Sequence, residues 1–365
     1  MKLADLVRTL ESIAPLADAE DWDNVGLLAG DPGAPVTRAL LCIDCTPEVV
    51  AEAAEAKCEA IVSYHPPIFR PLSRITRGSA AFDLVSRGIA LYSPHTALDA
   101  AEGGTNDVLA DAVGIGLDRV PIRASAPKDA EHKLVTFVPS EALARVSEAL
   151  FDAGAGRIGA YHGCSFRTPG TGTFVGDEGT SPAVGRAGHQ ETVEEVRLEM
   201  VVPVGRTDDV VRALRRTHPY EETAFDLVRL APRPSARGGG MGRIGGIEPI
   251  ERGALVAKIK ERLGVRRLLV AGPTQGTVAR AAVCAGSAGD LLDAAVRQGA
   301  EVVVTGEVRH HDALKIAGAG VTVVCALHSN SERIALAPLA AKIAAMLPGL
   351  SLQASRVDRD PFAIV

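Results

Sequence analysis

Residues 40–65 read LLCIDCTPEVVAEAAEAKCEAIVSYH, and this stretch decides the fold class. The apolar run at 39–43 (ALLCI) is the length of a buried strand. Thr46 followed by Pro47 has the form of a helix N-cap with proline at the first helical position, and an Ala/Glu/Val helix over 47–60 follows. A second apolar run, 60–64 (AIVSY), is stopped by His65-Pro66-Pro67. Working outward, a helix over 79–86 and a third strand over 89–92 continue the alternation. Short apolar strands separated by helices predict parallel βαβ units in a sheet covered on both faces.

The same pattern returns near the other end of the chain. Residues 281–307, AAVCAGSAGDLLDAAVRQGAEVVVTGE, superpose on the first stretch with Cys42 on Cys284 and His65 on Glu307. The next unit repeats at a slightly shifted register. IALYSPHTALD (89–99) matches VTVVCALHSNSE (321–332), so that His95 meets His328 and Asp99 meets Glu332. An internal repeat of this kind predicts two similar α/β lobes related by a pseudo-twofold.

Between them the rhythm changes. Strands are expected over 133–138, 197–203 and 224–230, with a helix over 140–152 capped by Ser140 and another over 207–217. A turn-rich, Gly-rich stretch spans 154–188. This order suggests a ferredoxin-like α+β domain inserted between the lobes. Residues 231–246 (APRPSARGGGMGRIGG) read as a hinge or linker. The expected domains are therefore 1–127, an N-terminal α/β lobe; 128–232, the insert; and 233–365, a C-terminal α/β lobe.

Composition excludes several classes. The 365 residues are 47% hydrophobic and 23% charged, a soluble globular balance with room for sizeable cores. No apolar run reaches the roughly 18–20 residues that span a bilayer, and residues 1–8 (MKLADLVR) lack the apolar core of a signal peptide. A net charge of −6, with one Trp, four Tyr and eight Phe, argues against nucleic acid as a partner. Six cysteines do not make a disulfide scaffold in a chain this long. Cys42 and Cys45 form a lone C-x-x-C at a strand end and read as buried hydrophobes rather than a zinc or redox pair. The expectation is a reduced, cytoplasmic protein.

In open parallel α/β sheets, ligands bind beyond the carboxyl ends of the strands. His65, His95, Glu307 and His328 all stand at or just after such an end, and Asp99 and Glu332 each follow a His by four residues, on one face of a helix. One strand-end His alone is ordinarily a hydrogen-bonded structural residue. The repeated set points instead to a centre for Zn²⁺, Mn²⁺, Fe²⁺ or Co²⁺, which imidazole with carboxylate suits. Carboxylates that bridge two cations and hold a water between them give the two-metal arrangement for hydrolysis.

At these residues the chain resembles the Nif-three-like dinuclear metal-centre family, also called GTP cyclohydrolase I type 2-like. The matching stretches are DWDNVGLLAGD (21–31), IDCTPE (43–48), SYHPPIF (63–69), SPHTALDAAEGGTND (93–107), GMGRIGG (240–246), VTGEVRHHD (304–312) and HSNSER (328–333). The middle part is similar to the PII/CutA-like insert of the family's longer bacterial members, with HPYEE (218–222) as its nearest local match. The resemblance implies a toroidal homohexamer, a trimer of dimers, with a two-metal site between the lobes of each subunit. Carried over, the ligands are His65, Asp99, His328 and Glu332. The family's adjacent-histidine pair reads Tyr64-His65 here. That leaves three outcomes for a second metal: weak binding with Tyr64 as a phenolate ligand, recruitment of another residue such as His95, or absence. One or two divalent ions per subunit are expected.

The chemistry implied is hydrolysis of a nucleotide or related small molecule by a metal-activated water. Glu307 is read either as general base, the catalytic candidate, or as the hydrogen-bond partner of a ligating imidazole. His311 and its neighbour His310 either touch a substrate phosphate or start a solvated helix. Asn106 and Asn24 either orient substrate or close local turns. Residues 238–246, with Arg237 and Arg243, offer either an anion contact or a linker. The alternative from a different class is a non-catalytic metal-binding oligomer or regulator, in which residues 218–222 make a subunit contact or close a helix.

Overall fold

The computed structural model describes residues 1–125, 131–159, 161–180, 183–231 and 239–363. The chain divides into two compact units, Met1–Ala126 with Pro234–Val365, and Pro127–Arg233. The expected boundaries at 127/128 and 232/233, with Arg237 and Gly238, lie outside the described residues.

The first unit is mixed α/β with two five-stranded sheets. In spatial order, one sheet runs Gly26–Ala29, Ala90–Ser93, Ala60–Ser63, Arg38–Cys42 and Ser351–Ala354. All its pairings are parallel except that of Gly26–Ala29. The other runs Arg243–Glu251, Thr277–Ser287, Val302–Glu307, Thr322–Cys325 and Leu269–Ala271, with a parallel centre and antiparallel edges. The central strands Ala60–Ser63, Ala90–Ser93 and Thr322–Cys325 are buried at every residue, as strands covered on both faces must be. The helix Pro47–Glu55 starts as its sequence predicts, with the Thr46 side chain accepting from Val49 N–H and proline in the first turn.

The two sheets exchange their last segments, which chain order does not foretell. Leu109, Ala110 and Val113, from the helix Thr105–Val113, pack with Val302 of the second sheet and with Leu255 and Ile259 of the helix Arg252–Arg262. Conversely Leu336, Leu339 and Ile343, from the helix Leu336–Met346, pack with Leu41 of the first sheet and with Leu3 and Leu6 of the helix Leu3–Ile13. Ser351–Ala354 then becomes the outermost strand of that first sheet. A division into 1–127 and 233–365 therefore does not separate the cores.

The described part of the expected linker is not one. Gly240–Met241 pairs with Arg123–Ala124, and Arg243–Glu251 pairs with Thr277–Ser287. Arg243 is 2% exposed: Nε and Nη2 donate to the Asp107 carboxylate at 3.0 and 2.8 Å, and Nη1 donates to the carbonyls of Gly240 and Gly242. Nη2 also donates to the Ala101 carbonyl at 3.1 Å, so this interior ion pair leaves Arg243 no donor for a ligand anion, which corrects the linker reading of residues 239–246 and the anion reading of Arg243.

The second unit carries a four-stranded antiparallel sheet, ordered Phe166–Val175, Gln190–Pro203, Glu131–Pro139 and Phe225–Arg229, with the helices Leu143–Asp152 and Thr207–Thr217. Phe166–Val175 lies within the stretch read as turns. Its glycines and Pro169 suppress the strand signal, and an edge strand tolerates both. Ser140 does not cap the first helix, which begins at Leu143 with Ala142 ahead of it. His218 closes the second helix: its Nε2 faces the Phe137 carbonyl at 3.0 Å and Nδ1 accepts from Tyr220 N–H at 3.1 Å. A cavity of about 600 Å³ in this unit is lined by Phe137, Phe174, Arg197 and Tyr220 among others.

Candidate metal centre

All the strand-end candidates belong to the first unit, and the fold gathers three of them. His65 follows the strand Ala60–Ser63, while His328 and Glu332 stand one turn apart on the short helix His328–Arg333. One ligand atom from each lies within 4.8 Å of the others. His65 Nε2 is 3.2 Å from Glu332 Oε2, and His328 Nε2 is 3.2 Å from Glu332 Oε1. Yet His65 Nε2 and Glu332 Oε2 are buried without an aligned hydrogen bond. Buried polar atoms are ordinarily satisfied, so two orphans facing each other beside a third donor fit a cation between them. Two imidazoles and a carboxylate suit a borderline-to-hard divalent ion.

The backbone is shaped around these side chains. Gly286 has φ +65°, and a Cβ there would lie 2.6 Å from Glu332 Oε1 and 3.3 Å from His328 Nε2. At Gly306 a Cβ would approach the Gly286 carbonyl at 2.6 Å and His328 Cα at 2.8 Å. Ser331 Oγ accepts from Gly286 N–H at 2.8 Å and donates to the His328 carbonyl at 2.7 Å, which joins the glycine turn to the ligand helix. Leu327 (φ 70°) and His95 (φ 28°) are non-glycine residues in the left-handed region, each at the start of one of the two short site helices. Such backbone costs roughly 1–3 kcal/mol and persists where surrounding contacts impose it.

Each site imidazole is gripped by a carboxylate at Nδ1. His65 meets Asp44 at 2.9 Å, His328 meets Glu307 at 3.1 Å, and His95 meets Asp23 at 2.8 Å. This grip fixes the ring, leaves Nε2 for a metal, and raises imidazole basicity. Burial pulls the His65 pKa down, but Asp44 and Glu332 outweigh it and push the ring up to about 10. The bond to Glu332 leads in raising His328 to about 9, again against burial. Glu332 is held below its ordinary value because the two imidazoles overcome the upward push of burial. Asp44 and Asp23 were not singled out from the sequence. The available signal was the position of Asp44 just beyond a buried strand that neighbours the one ending before His65.

The remaining candidates separate. Tyr64 is 1% exposed and its hydroxyl donates to Asp99 Oδ1. Burial, then the charges of Asp99 and Glu332, push its pKa well up, so the phenolate ligand is disfavoured. Asp99 is buried and raised to about 6, by burial and then by Glu332. His95 lies outside the three-residue group, though its ring centroid is 5.3 Å from that of His65. Glu307 makes the imidazole contact that was one of its two readings. Asn106 is wholly buried: Nδ2 donates to the Asp99 carbonyl and Oδ1 accepts from Ala285 N–H, both at 2.9 Å. Its amide joins two backbone segments, which corrects the substrate-binding reading. His310 and His311 pack ring to ring at the exposed start of the helix His310–Gly318, outside the three-residue group. Cys42 and Cys45 are free, buried thiols; their mutual contact and burial raise Cys42 well above its ordinary value, against thiolate metal binding.

A mixed α/β chain whose strand ends converge a His/His/Glu group defines a candidate metal-binding α/β protein. Residues 1–361 match the DUF34/NIF3 (NGG1p interacting factor 3) model, and the chain belongs to that family. A Halalkalibacterium halodurans protein named "GTP cyclohydrolase 1 type 2 homolog" is 36% identical, covering all of both chains. Among solved structures, a Bacillus cereus protein related to NIF3 is 32% identical, with a TM-score of 0.67 over 100% of this chain and 99% of that one. A Staphylococcus aureus protein is 29% identical, with a TM-score of 0.73 over the same shares. No helix among the described residues is long and apolar enough to cross a membrane.

Proposed function

We propose that this protein is a metal-dependent hydrolase acting on a nucleotide or related small molecule. The observation that carries the reading is the convergence of the half-buried His65 and His328 on the buried Glu332, with two orphaned ligand atoms facing each other. The relatives' name, GTP cyclohydrolase 1 type 2 homolog, supports the substrate class. A divalent ion held there supplies Lewis acidity and lowers the pKa of water toward 7. The chain's own residues do the rest. Asp44 and Glu307 hold the two ligand rings by Nδ1, and Tyr64 holds Asp99. Glu307, with its side chain 56% exposed, can also act as general base and take the proton of the attacking water. Asp99 and His95 complete the set if a second ion binds.

The finer architecture is part of the same proposal. Equal strand offsets support two lobes related by a pseudo-twofold: Cys42 pairs with Ser63 and Cys284 with Thr305, both in parallel. The α+β unit of four strands and two helices supports a ferredoxin-like insert. A toroidal homohexamer rests on the family resemblance, and six free thiols support a reducing, cytoplasmic setting. The test is elemental analysis of tag-free protein together with nucleotide hydrolysis before and after chelation. At least one ion per chain, with activity lost on chelation and regained on metal addition, is expected. No metal after reconstitution would overturn the proposal.

A further inference from the structure

We infer that Trp22 and Phe69 form a stacking clamp for a flat heteroaromatic ring beside the metal group. Trp22 is the chain's single tryptophan, and it is 60% exposed. Phe69, from a different segment, is 43% exposed, and the two ring centroids are 5.9 Å apart at 55°. Tryptophan is ordinarily well buried, so an exposed indole held in place needs a reason.

It is held firmly. The neighbouring Asp23 side chain is wholly buried and takes His95 Nδ1, Thr96 N–H and the Thr96 hydroxyl. Asn24 Nδ2 donates to the Ile68 carbonyl at 2.5 Å, tying the Trp22 loop to the segment that carries Phe69. Two aromatic faces are thus fixed in advance while staying open to solvent, which lowers the ordering cost of binding a ring.

The clamp leads to the centre through successive rings. Trp22 meets His95 edge-on at 6.1 Å between centroids, His95 meets His65 at 5.3 Å, and His65 meets His328 at 5.3 Å. A ring stacked on Trp22 therefore lies one imidazole, that of His95, away from His65. Arg70, next to Phe69 in the chain, is exposed and offers a guanidinium to an anionic substituent on the ligand. The occupant is a small heteroaromatic molecule with an anionic group. This deepens the proposed function, since the centre is what would act on the molecule; the stacking itself does not depend on metal.

Because Trp22 is the sole indole, its fluorescence reports the clamp directly. The full-length protein is titrated with guanosine 5′-monophosphate, with pterin, and with ribose 5-phosphate, which lacks the ring. Saturable quenching by the two ring compounds and none by ribose 5-phosphate is expected. Phe69→Ala should raise the dissociation constant about tenfold or more, and Trp22→Ala should do the same by calorimetry, with metal content unchanged in both. Absence of saturable quenching by either ring compound, or equal binding of ribose 5-phosphate, overturns the clamp. A shift in emission with protein concentration alone assigns the face to a second copy of the chain and overturns it too. Elemental analysis of the same samples separates the readings. Quenching without metal sinks the hydrolase and keeps the clamp, and metal without quenching does the reverse.

Discussion

Arg333 Nη1 lies 2.6 Å from Asp358 Oδ2, and that carboxylate, 2% exposed, also accepts from Ile43 N–H at 2.7 Å. One buried acid thus ties the helix bearing His328 and Glu332 to the end of the strand that precedes Asp44. Ser329 Oγ donates to Asp360 at 2.9 Å, a second tie from the same C-terminal segment. The ligand helix has only six residues and depends on such anchors for its position.

Asp358→Ala should therefore loosen the metal group without removing a ligand. A loss of about 1–3 kcal/mol in unfolding free energy is expected, because Arg333 retains partial solvent access. Metal affinity should fall about tenfold or more in a chelator competition. Unchanged affinity in a folded variant would show that the tie is only structural.

The ligands and their supports should separate by severity. His328→Ala and Glu332→Ala are expected to abolish stable metal retention. Asp44→Asn and Glu307→Gln keep every ligand and should weaken affinity by about 10–100-fold. Gly286→Ala adds a methyl group 2.6 Å from Glu332 Oε1 at a left-handed position, so it should act like loss of a ligand. Elemental analysis and competition titrations on folded variants measure the order. Full retention in His328→Ala would remove this helix from the centre.

His65, His328 and Glu332 were legible because strand ends are marked by apolar runs that stop, and the repeat marked those ends twice. Asp44, Asp23 and Asp358 were not, since an acid in a turn carries no periodic signal. Their partners are 21, 72 and 25 positions away. Arg243 misled by composition: Gly, Pro and Arg read as a linker, while its real environment is Asp107, 136 positions earlier. The exchange of closing segments was also hidden, because amphipathic helices do not state which sheet they cover. Phe166–Val175 vanished among glycines that an exposed edge strand tolerates.

The Arg243–Asp107 pair predicts a defined acid response. Burial pushes the Asp107 carboxyl up, but Arg243 and then Arg119 outweigh it and hold the pKa below the ordinary 3.8. A depressed carboxylate contributes stability that is complete above its unfolded value and disappears as pH falls through the folded one. Wild-type unfolding free energy should thus drop below about pH 4. Asp107→Asn leaves a buried guanidinium without its counter-charge and should cost about 3–5 kcal/mol at neutral pH. It should also flatten the acid limb. Identical acid limbs in the two proteins would contradict this account.

Tyr64 stands where the family resemblance expects a second histidine, and it gives the last test. Its hydroxyl donates to Asp99 Oδ1 from a fully buried position, and its ring packs edge-on against His65 at 5.2 Å. Tyr64→Phe keeps the ring and removes the donor from a buried carboxylate, which should cost about 1–3 kcal/mol in stability. Metal held by His65, His328 and Glu332 should remain at one ion per chain. Tyr64→His replaces the phenol with an imidazole next to Asp99 and His95, and metal content should rise toward two. Two ions in wild type would mean that Asp99 and His95 hold the second ion without a ligand at position 64. One ion in both proteins would confine the centre to the His65, His328 and Glu332 group.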